Sequence, residues 1–152
     1  MLDVPVQARI QASRARTELF MKKLFLTALA AICFLISARA EIRVVVSIRN
    51  QSAWLVNGNR ILMTSAVSTA KRGMHTPTGH FEVSEKDASH ISTIYHVAMP
   101  FYMRLSGQPF GMHAGYVPGY PASHGCIRMP KQMAAFFFKN VNVGTSVRIL
   151  PN

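Results

Sequence analysis

Beyond residue 42 the sequence is a run of short β-branched and aromatic stretches cut by turn residues, and that alternation constrains the fold more than any other feature. Arg43 to Ile48 (RVVVSI) is followed by Ser52 to Val56, then by Asn57-Gly58 and the stretch from Ile61 to Thr69. An Asn-Gly pair between two such stretches is the strongest short-range hairpin signal, because a two-residue turn of this kind needs positive φ. Lys71-Arg72-Gly73 and Thr76-Pro77-Thr78-Gly79 punctuate the chain after Thr69. Further strands are expected over His80 to Val83, Tyr95 to Ala98, Phe101 to Leu105, Phe110 to His113 and Ser146 to Leu150. One helix stands among them. Pro130 suits a first helical turn, Met133, Ala134 and Phe136 to Phe138 supply an apolar face, and Gly144 closes the segment. Three consecutive phenylalanines read as core that anchors the helix to the sheet. The expected fold class is mainly β, one compact domain with a single helix.

Residues 1–40 stand outside that pattern. Met21-Lys22-Lys23, an apolar run from Leu24 to Ile36 and then Ala38-Arg39-Ala40 have the order of an export signal: charged start, hydrophobic stretch, cleavage site. The run is shorter than the roughly 20 apolar residues that span a bilayer, which favours cleavage over a permanent anchor. The expected division is residues 1–20 as an extension upstream of a true start at Met21, 21–40 as the signal, and 41–152 as the mature domain. An arginine-rich tail before an uncleaved anchor is the alternative, and only then does the signal segment tie the protein to a membrane. Cys33 follows Ile32 rather than the small residue that precedes a lipidated cysteine, so it reads as part of the apolar run.

The 152-residue chain has a formal net charge of +11. Residues 41–152 keep eleven basic against four acidic side chains, a net charge of +7. Positive charge on an exported domain suits an anionic partner, and outside the cytoplasm a cell-envelope polymer fits better than nucleic acid. A solvated basic surface accounts for the charge equally well. No internal repeat is present, which argues against a repeat array. With the signal removed, Cys126 is the one cysteine left in a compartment where disulfides form readily. A lone thiol there is either buried and inert or has a chemical task.

Its neighbours favour the task. In Ser123-His124-Gly125-Cys126-Ile127-Arg128 a histidine lies two residues before the thiol, and His113 lies thirteen before it. A histidine close to a thiol takes its proton or shares it as an ion pair, which lowers the thiol pKa and makes Cys126 more reactive at pH 6 to 7 than an ordinary exposed cysteine. Spacing alone leaves the base open between the two. On an extended segment His124 and Cys126 point the same way, on a turn into a helix they diverge, and His113 ends a predicted strand from which it reaches the thiol across the sheet. Gly125 lets the backbone approach closely, so that the N–H groups of Gly125 and Cys126 can face one oxyanion. Such a site suits acyl transfer.

The segment FGMHAGYVPGYPASHGCIRMP, Phe110 to Pro130, resembles the signature of the L,D-transpeptidase catalytic domain of bacterial cell-wall synthesis. That pattern is a histidine, a spacer, then Ser/Thr-His-Gly-Cys with an apolar residue and Arg or Asn, met here by His113, Ser123, His124, Gly125, Cys126, Ile127 and Arg128. Upstream, VSTAKRGMHTPTGHFEV resembles the family's strand, turn and TPTG stretch, and VGTSVRI its closing strand, so the likeness runs over residues 43–150. The resemblance implies a β-sandwich-like domain with one helix after the cysteine, Cys126 as nucleophile, and His113 as general base with the Ala114 carbonyl orienting its ring. It further implies that Ser123, His124 and Gly125 support the site, that Arg128 and Tyr102 meet the substrate, and that the donor is the tetrapeptide stem of peptidoglycan. The implied protein is a monomeric periplasmic or envelope enzyme without cofactor or metal. It releases D-alanine, passes the acyl group to an amine, and is acylated by carbapenems.

Rival functions stay open on the sequence alone. Water in place of the amine makes the same site a carboxypeptidase or hydrolase. His113, His124 and Cys126 supply three candidate zinc ligands, although their spacing follows no standard finger pattern. A non-catalytic module that holds an anionic wall polymer on its basic face does not depend on Cys126. Arg128 is open between a structural ion pair and a grip on a substrate carboxylate. His75, His80, His90 and His96 have no supporting spacing and read as surface or core residues.

Overall fold

Alternation along RVVVSI sends Val44 and Val46 to one face, and strand β1 (Ile42–Ser47) buries both completely. β2 (Ser52–Asn57) runs back antiparallel to it, and Asn57 pairs with Arg60, so the chain turns through Gly58-Asn59, one residue later than the Asn57-Gly58 pair, into β3 (Arg60–Ala66), with Gly58 at φ 57°. The remaining strands are β4 (Gly79–Asp87), β5 (Tyr102–Leu105), β6 (Gly111–Ala114), β7 (Ile127–Met129) and β8 (Ser146–Leu150). Together they form an eight-stranded sheet in the order β3-β2-β1-β8-β4-β5-β6-β7, with β1 parallel to β8 and β6 parallel to β7.

β4 joins the two halves. Gly79 to Glu82 pair with β8, whereas Val83 to Asp87 pair with β5 across an irregularity between Val83 and Glu85. An irregularity of this kind bends a strand and lets it serve two partners. One core then unites both halves, with Val44, Leu55 and Val147 from one and Met103, Met112 and Ile127 from the other. At about 25 cal/mol per Å2 of apolar area, such burial is the main force holding the halves together.

The helix α1 (Lys131–Asn140) follows Pro130 directly and buries Ala134 and Phe137, while Phe136 and Phe138 are partly buried against the core. It packs on β6, the strand that carries His113. Lys86 of β4 donates to the carbonyls of Phe138 (2.7 Å) and Val141, which answers two of the unpaired acceptors at the helix end.

One local expectation needs correction, and one strand was not foreseen. Tyr95 to Ala98 is not a strand: the N–H groups of Tyr95 and His96 bond back to the Ser92 hydroxyl and carbonyl, and only Ile91 and Ala98 form an isolated bridge. Ile94, Tyr95 and Val97 are exposed, so no core rewards an extended alternation there. Conversely, Ile127–Met129 is a strand, supported on one side by β6 and on the other by a bridge between Ser68 and Arg128.

The computed structural model describes residues 11, 13, 14, 16–24 and 41–151. The chain divides into Met1–Arg39 and Ala40–Asn152, and the eight-stranded fold is that of the second unit. In the first, residues 16–24 are helical and exposed. The apolar run past Leu24, Cys33 and Ala38-Arg39-Ala40 lie outside the described residues. Among the described residues no helix is long and apolar enough to cross a membrane.

Candidate active site

Parallel pairing of β6 with β7 sets Met112 beside Ile127 and His113 beside Arg128, so the residue just before β7, Cys126, sits at the start of β6. His113 and Cys126 thereby come to one cleft of about 720 Å3, which Tyr102, His124, Ser123, Ala114 and Arg128 also line.

His113 is 5% exposed, and its Nδ1 lies 2.8 Å from the Ala114 carbonyl oxygen. A carbonyl only accepts, so Nδ1 carries the proton and Nε2 keeps its lone pair. Nε2 is buried and has no hydrogen-bond partner among the described residues. It makes no bond to the Cys126 thiol in the free protein, as is common for catalytic pairs that tighten on binding substrate. Burial pushes the His113 pKa down, with the charge of Arg128 adding to the shift and the Ala114 bond opposing it.

Cys126 is a free, half-buried thiol. Burial pushes its pKa up, against a backbone contact from Gly111 and the charges of Arg128 and Arg104, which pull it down. The two shifts have one cause: desolvation disfavours both thiolate and imidazolium, and so favours the neutral form of each. This direction is opposite to the one expected from the sequence, of a thiol activated in advance as an ion pair.

His124 is exposed, with its ring 5.0 Å from that of Tyr95 and tilted by 32°. The rival bases differ accordingly in solvation, one buried beside the thiol's strand and the other at the rim. Among the described residues no group of three or more His, Cys, Asp or Glu side chains is arranged to hold a metal ion.

Gly125 has φ +144°, and a Cβ there would stand 3.3 Å from the His75 carbonyl. Only glycine takes that conformation easily in so little room. Its N–H donates to the Ser123 hydroxyl at 3.1 Å, and its carbonyl accepts from Thr76 Oγ1 at 2.8 Å. The Gly125 N–H is therefore not a free oxyanion donor, which corrects that assignment. The Cys126 N–H has no acceptor among the described residues. Ser123 lines the cleft but is only 1% exposed, and it also braces this loop: its N–H donates to the Thr69 carbonyl and its own carbonyl accepts from the Lys71 N–H.

Arg128 lines the cleft and forms no ion pair among the described residues, so the structural ion pair considered for it is not made. Tyr102 is 2% exposed, and its pKa is pushed up to about 12, first by burial and then by Cys126. Sequence spacing gave no role to His90, which lines the cleft, stacks on Tyr102 and reaches Asp87 with Nδ1 at 3.3 Å. Arg104 is a second unforeseen lining residue, held by Glu85 at 2.7 Å.

A model of the L,D-transpeptidase catalytic domain family (YkuD) matches residues 41–149. No significant match is found among curated proteins. Among solved structures, an L,D-transpeptidase from Stackebrandtia nassauensis superposes with a TM-score of 0.69 at 23% identity, over 76% of this chain and 58% of that one. An L,D-transpeptidase from Mycobacterium smegmatis gives 0.68 at 21% identity, over 73% and 59%. The L,D-transpeptidase LdtMt1 in complex with imipenem gives 0.68 at 22% identity, again over 73% and 59%. The chain thus spans under three-fifths of the length of these structures, and the likeness to them is one of fold.

Proposed function

Because the chain belongs to the L,D-transpeptidase catalytic domain family, we propose that it is a cysteine acyltransferase acting on peptidoglycan stem peptides, with Cys126 as nucleophile and His113 as general base. One observation carries the roles: the Nδ1 proton of His113 is spent on Ala114, and the free lone pair at Nε2 belongs to a buried ring in the cleft that Cys126 lines. A neutral imidazole is the form that accepts a proton, and burial keeps it neutral.

In the proposed first half-reaction Cys126 Sγ attacks the carbonyl carbon between the third and fourth stem residues while its proton passes to His113 Nε2. The carbonyl oxygen becomes an oxyanion facing the Cys126 N–H. Collapse breaks the C–N bond, the proton on Nε2 goes to the leaving nitrogen, and D-alanine departs. An acceptor amine then attacks the thioester, loses a proton to His113 and regenerates the thiol. Water at that step gives the carboxypeptidase outcome. Arg128, a half-buried cation without a carboxylate of its own, suits a carboxylate of the substrate.

Location in the periplasm or cell envelope follows from this substrate and from the export-type segment at residues 21–40. Imipenem, the ligand of one similar structure, is proposed to acylate Cys126, since its strained amide presents a carbonyl to the same thiol. The test is intact-protein mass spectrometry with imipenem and with a stem tetrapeptide plus an amine acceptor. A covalent adduct absent from Cys126→Ser and unaffected by a chelator is expected. No adduct on folded wild-type protein removes the reading.

A further inference from the structure

We propose that Thr76 is a positioning residue for the oxyanion site: by fixing the Gly125 carbonyl, its hydroxyl aims the Cys126 N–H at the cleft. The inference rests on the acyl-transfer function proposed for Cys126 and adds to it a residue from a different part of the chain.

Thr76 is 3% exposed and precedes Pro77, whose ring disfavours the helical region for the residue before it. Its Oγ1 accepts the Ala70 N–H at 2.9 Å and donates to the Gly125 carbonyl at 2.8 Å. With the Ala70 N–H filling one side, the hydroxyl proton is directed to Gly125. The bond spans 49 residues of sequence and is buried.

The geometry of the peptide does the rest. No peptide bond in the described residues is cis, so in the Gly125–Cys126 peptide the C=O and N–H point in opposite directions. Thr76 borders a second hollow of about 310 Å3 and does not line the cleft, whereas Cys126 lines the cleft and not that hollow. A carbonyl fastened to Thr76 therefore leaves the N–H facing the thiol's side. That N–H has no acceptor among the described residues and is free to meet a ligand atom.

A restraint is needed because the residue is glycine. The positive φ and the 3.3 Å approach to the His75 carbonyl favour a residue without Cβ, and the same freedom lets a glycine peptide rotate. Rotation would turn the carbonyl into the cleft and withdraw the donor. Ser123 holds the preceding peptide through the Gly125 N–H, so the peptides on both sides of Gly125 are fixed, each from a separate side chain.

The test compares two electrophiles on the full chain. Imipenem acylation develops an oxyanion. Alkylation by iodoacetamide forms a C–S bond, expels iodide and develops none. Thr76→Val, which keeps the shape and loses the hydroxyl, is expected to slow acylation about 10²- to 10³-fold, the cost of one oxyanion donor, and to leave alkylation unchanged. Thr76→Ser, which keeps the hydroxyl, is expected to retain both rates. Thr76→Ala supplies the same ratio if the valine variant is too crowded to fold. Equal slowing of both reactions, unchanged acylation in Thr76→Val, or failure of both hydroxyl-free variants to fold overturns the proposal. If wild-type protein forms no imipenem adduct yet is alkylated at Cys126, the acyl-transfer reading itself fails.

Discussion

The imidazole of His90 lies stacked on the phenol of Tyr102, with 4.1 Å between ring centroids and 14° between planes. The same phenol is 6.4 Å from the ring of His113, so Tyr102 stands between a histidine tied to Asp87 and the proposed base. It is nearly inaccessible and keeps its proton to about pH 12. Tyr102 thus forms a packed wall of the cleft.

A wall needs the ring and not the hydroxyl. Tyr102→Phe is expected to keep the acylation rate and to cost about 0.5–1.5 kcal/mol at most in urea unfolding. Tyr102→Ala should cost about 3–5 kcal/mol. A large rise in KM for a stem peptide in the phenylalanine variant would instead make the hydroxyl a substrate contact.

Burial that favours the neutral thiol and the neutral imidazole predicts an unusual pH profile for chemistry at Cys126. With its pKa raised by burial, the thiol should react with iodoacetamide at pH 7 more slowly than a small exposed thiol, and the rate should still be climbing above about pH 8.5. Acylation by imipenem should depend on His113, falling about 10²- to 10⁴-fold in His113→Ala, because the base acts during attack rather than before it. Fast alkylation at pH 6 would restore the ion pair that the motif suggests.

That contrast marks what the sequence could and could not convey. The strand at Ser146 to Leu150, the hairpin signalled by Asn57-Gly58 and the helix after Pro130 were legible because each rests on local chemistry: alternation, a positive-φ turn, a first-turn proline. Tyr95 to Ala98 misled because its apolar residues face the cleft rim instead of the core. His90 and Thr76 were illegible as site residues, since their partners Tyr102 and Gly125 are 12 and 49 positions away and meet them only through the folded sheet and loops. Gly125 was legible as a special backbone position, but the direction of its N–H was not. Burial, which reverses the expected thiol shift, is a property of the whole fold.

The same two groups set a stability window. A histidine whose folded pKa is depressed lets the unfolded chain bind a proton first, so stability falls as pH drops through about 6.5 toward the lower folded value. A thiol whose folded pKa is raised ionises first in the unfolded chain, so stability falls as pH climbs past about 8.5 toward the higher folded value. Urea midpoints should therefore peak between these limits. Cys126→Ala should lose part of the alkaline decline and keep the acid one, and an unchanged alkaline decline would assign it to other groups.

Gly111 offers a test of the frame that carries His113. A Cβ at this position would lie 2.1 Å from the Met103 carbonyl oxygen and within 3 Å of two further backbone atoms, so β5 and β6 would have to separate. Gly111→Ala is expected to lower stability by about 1–3 kcal/mol or more. It should also disturb the Cys126 thiol, which Gly111 contacts through its backbone. A urea midpoint equal to wild type would show that the strands yield freely.

Arg128 is the remaining charged group of the cleft whose partner the described fold does not supply. It projects from β7 in register with His113, half-buried, with its aliphatic stem 3.2 Å from where a Cβ of Gly115 would sit. Its two roles make different predictions. As a carboxylate grip, its removal in Arg128→Gln should raise KM about 10- to 100-fold for a stem peptide with a free terminal carboxylate, the worth of one charged hydrogen bond. A peptide amidated at that end should show no such penalty, because the interaction is already gone. As a field on the site, the same change should let the His113 pKa rise and the Cys126 pKa rise further, since the cation lowers both. The acid limb of the acylation profile would then move to higher pH for both peptides alike. The expected result combines the two: a carboxylate-specific change in KM and a substrate-independent shift of the acid limb, read from kcat and KM across pH for the paired substrates. Equal KM changes for the free and amidated peptides would remove Arg128 from substrate recognition.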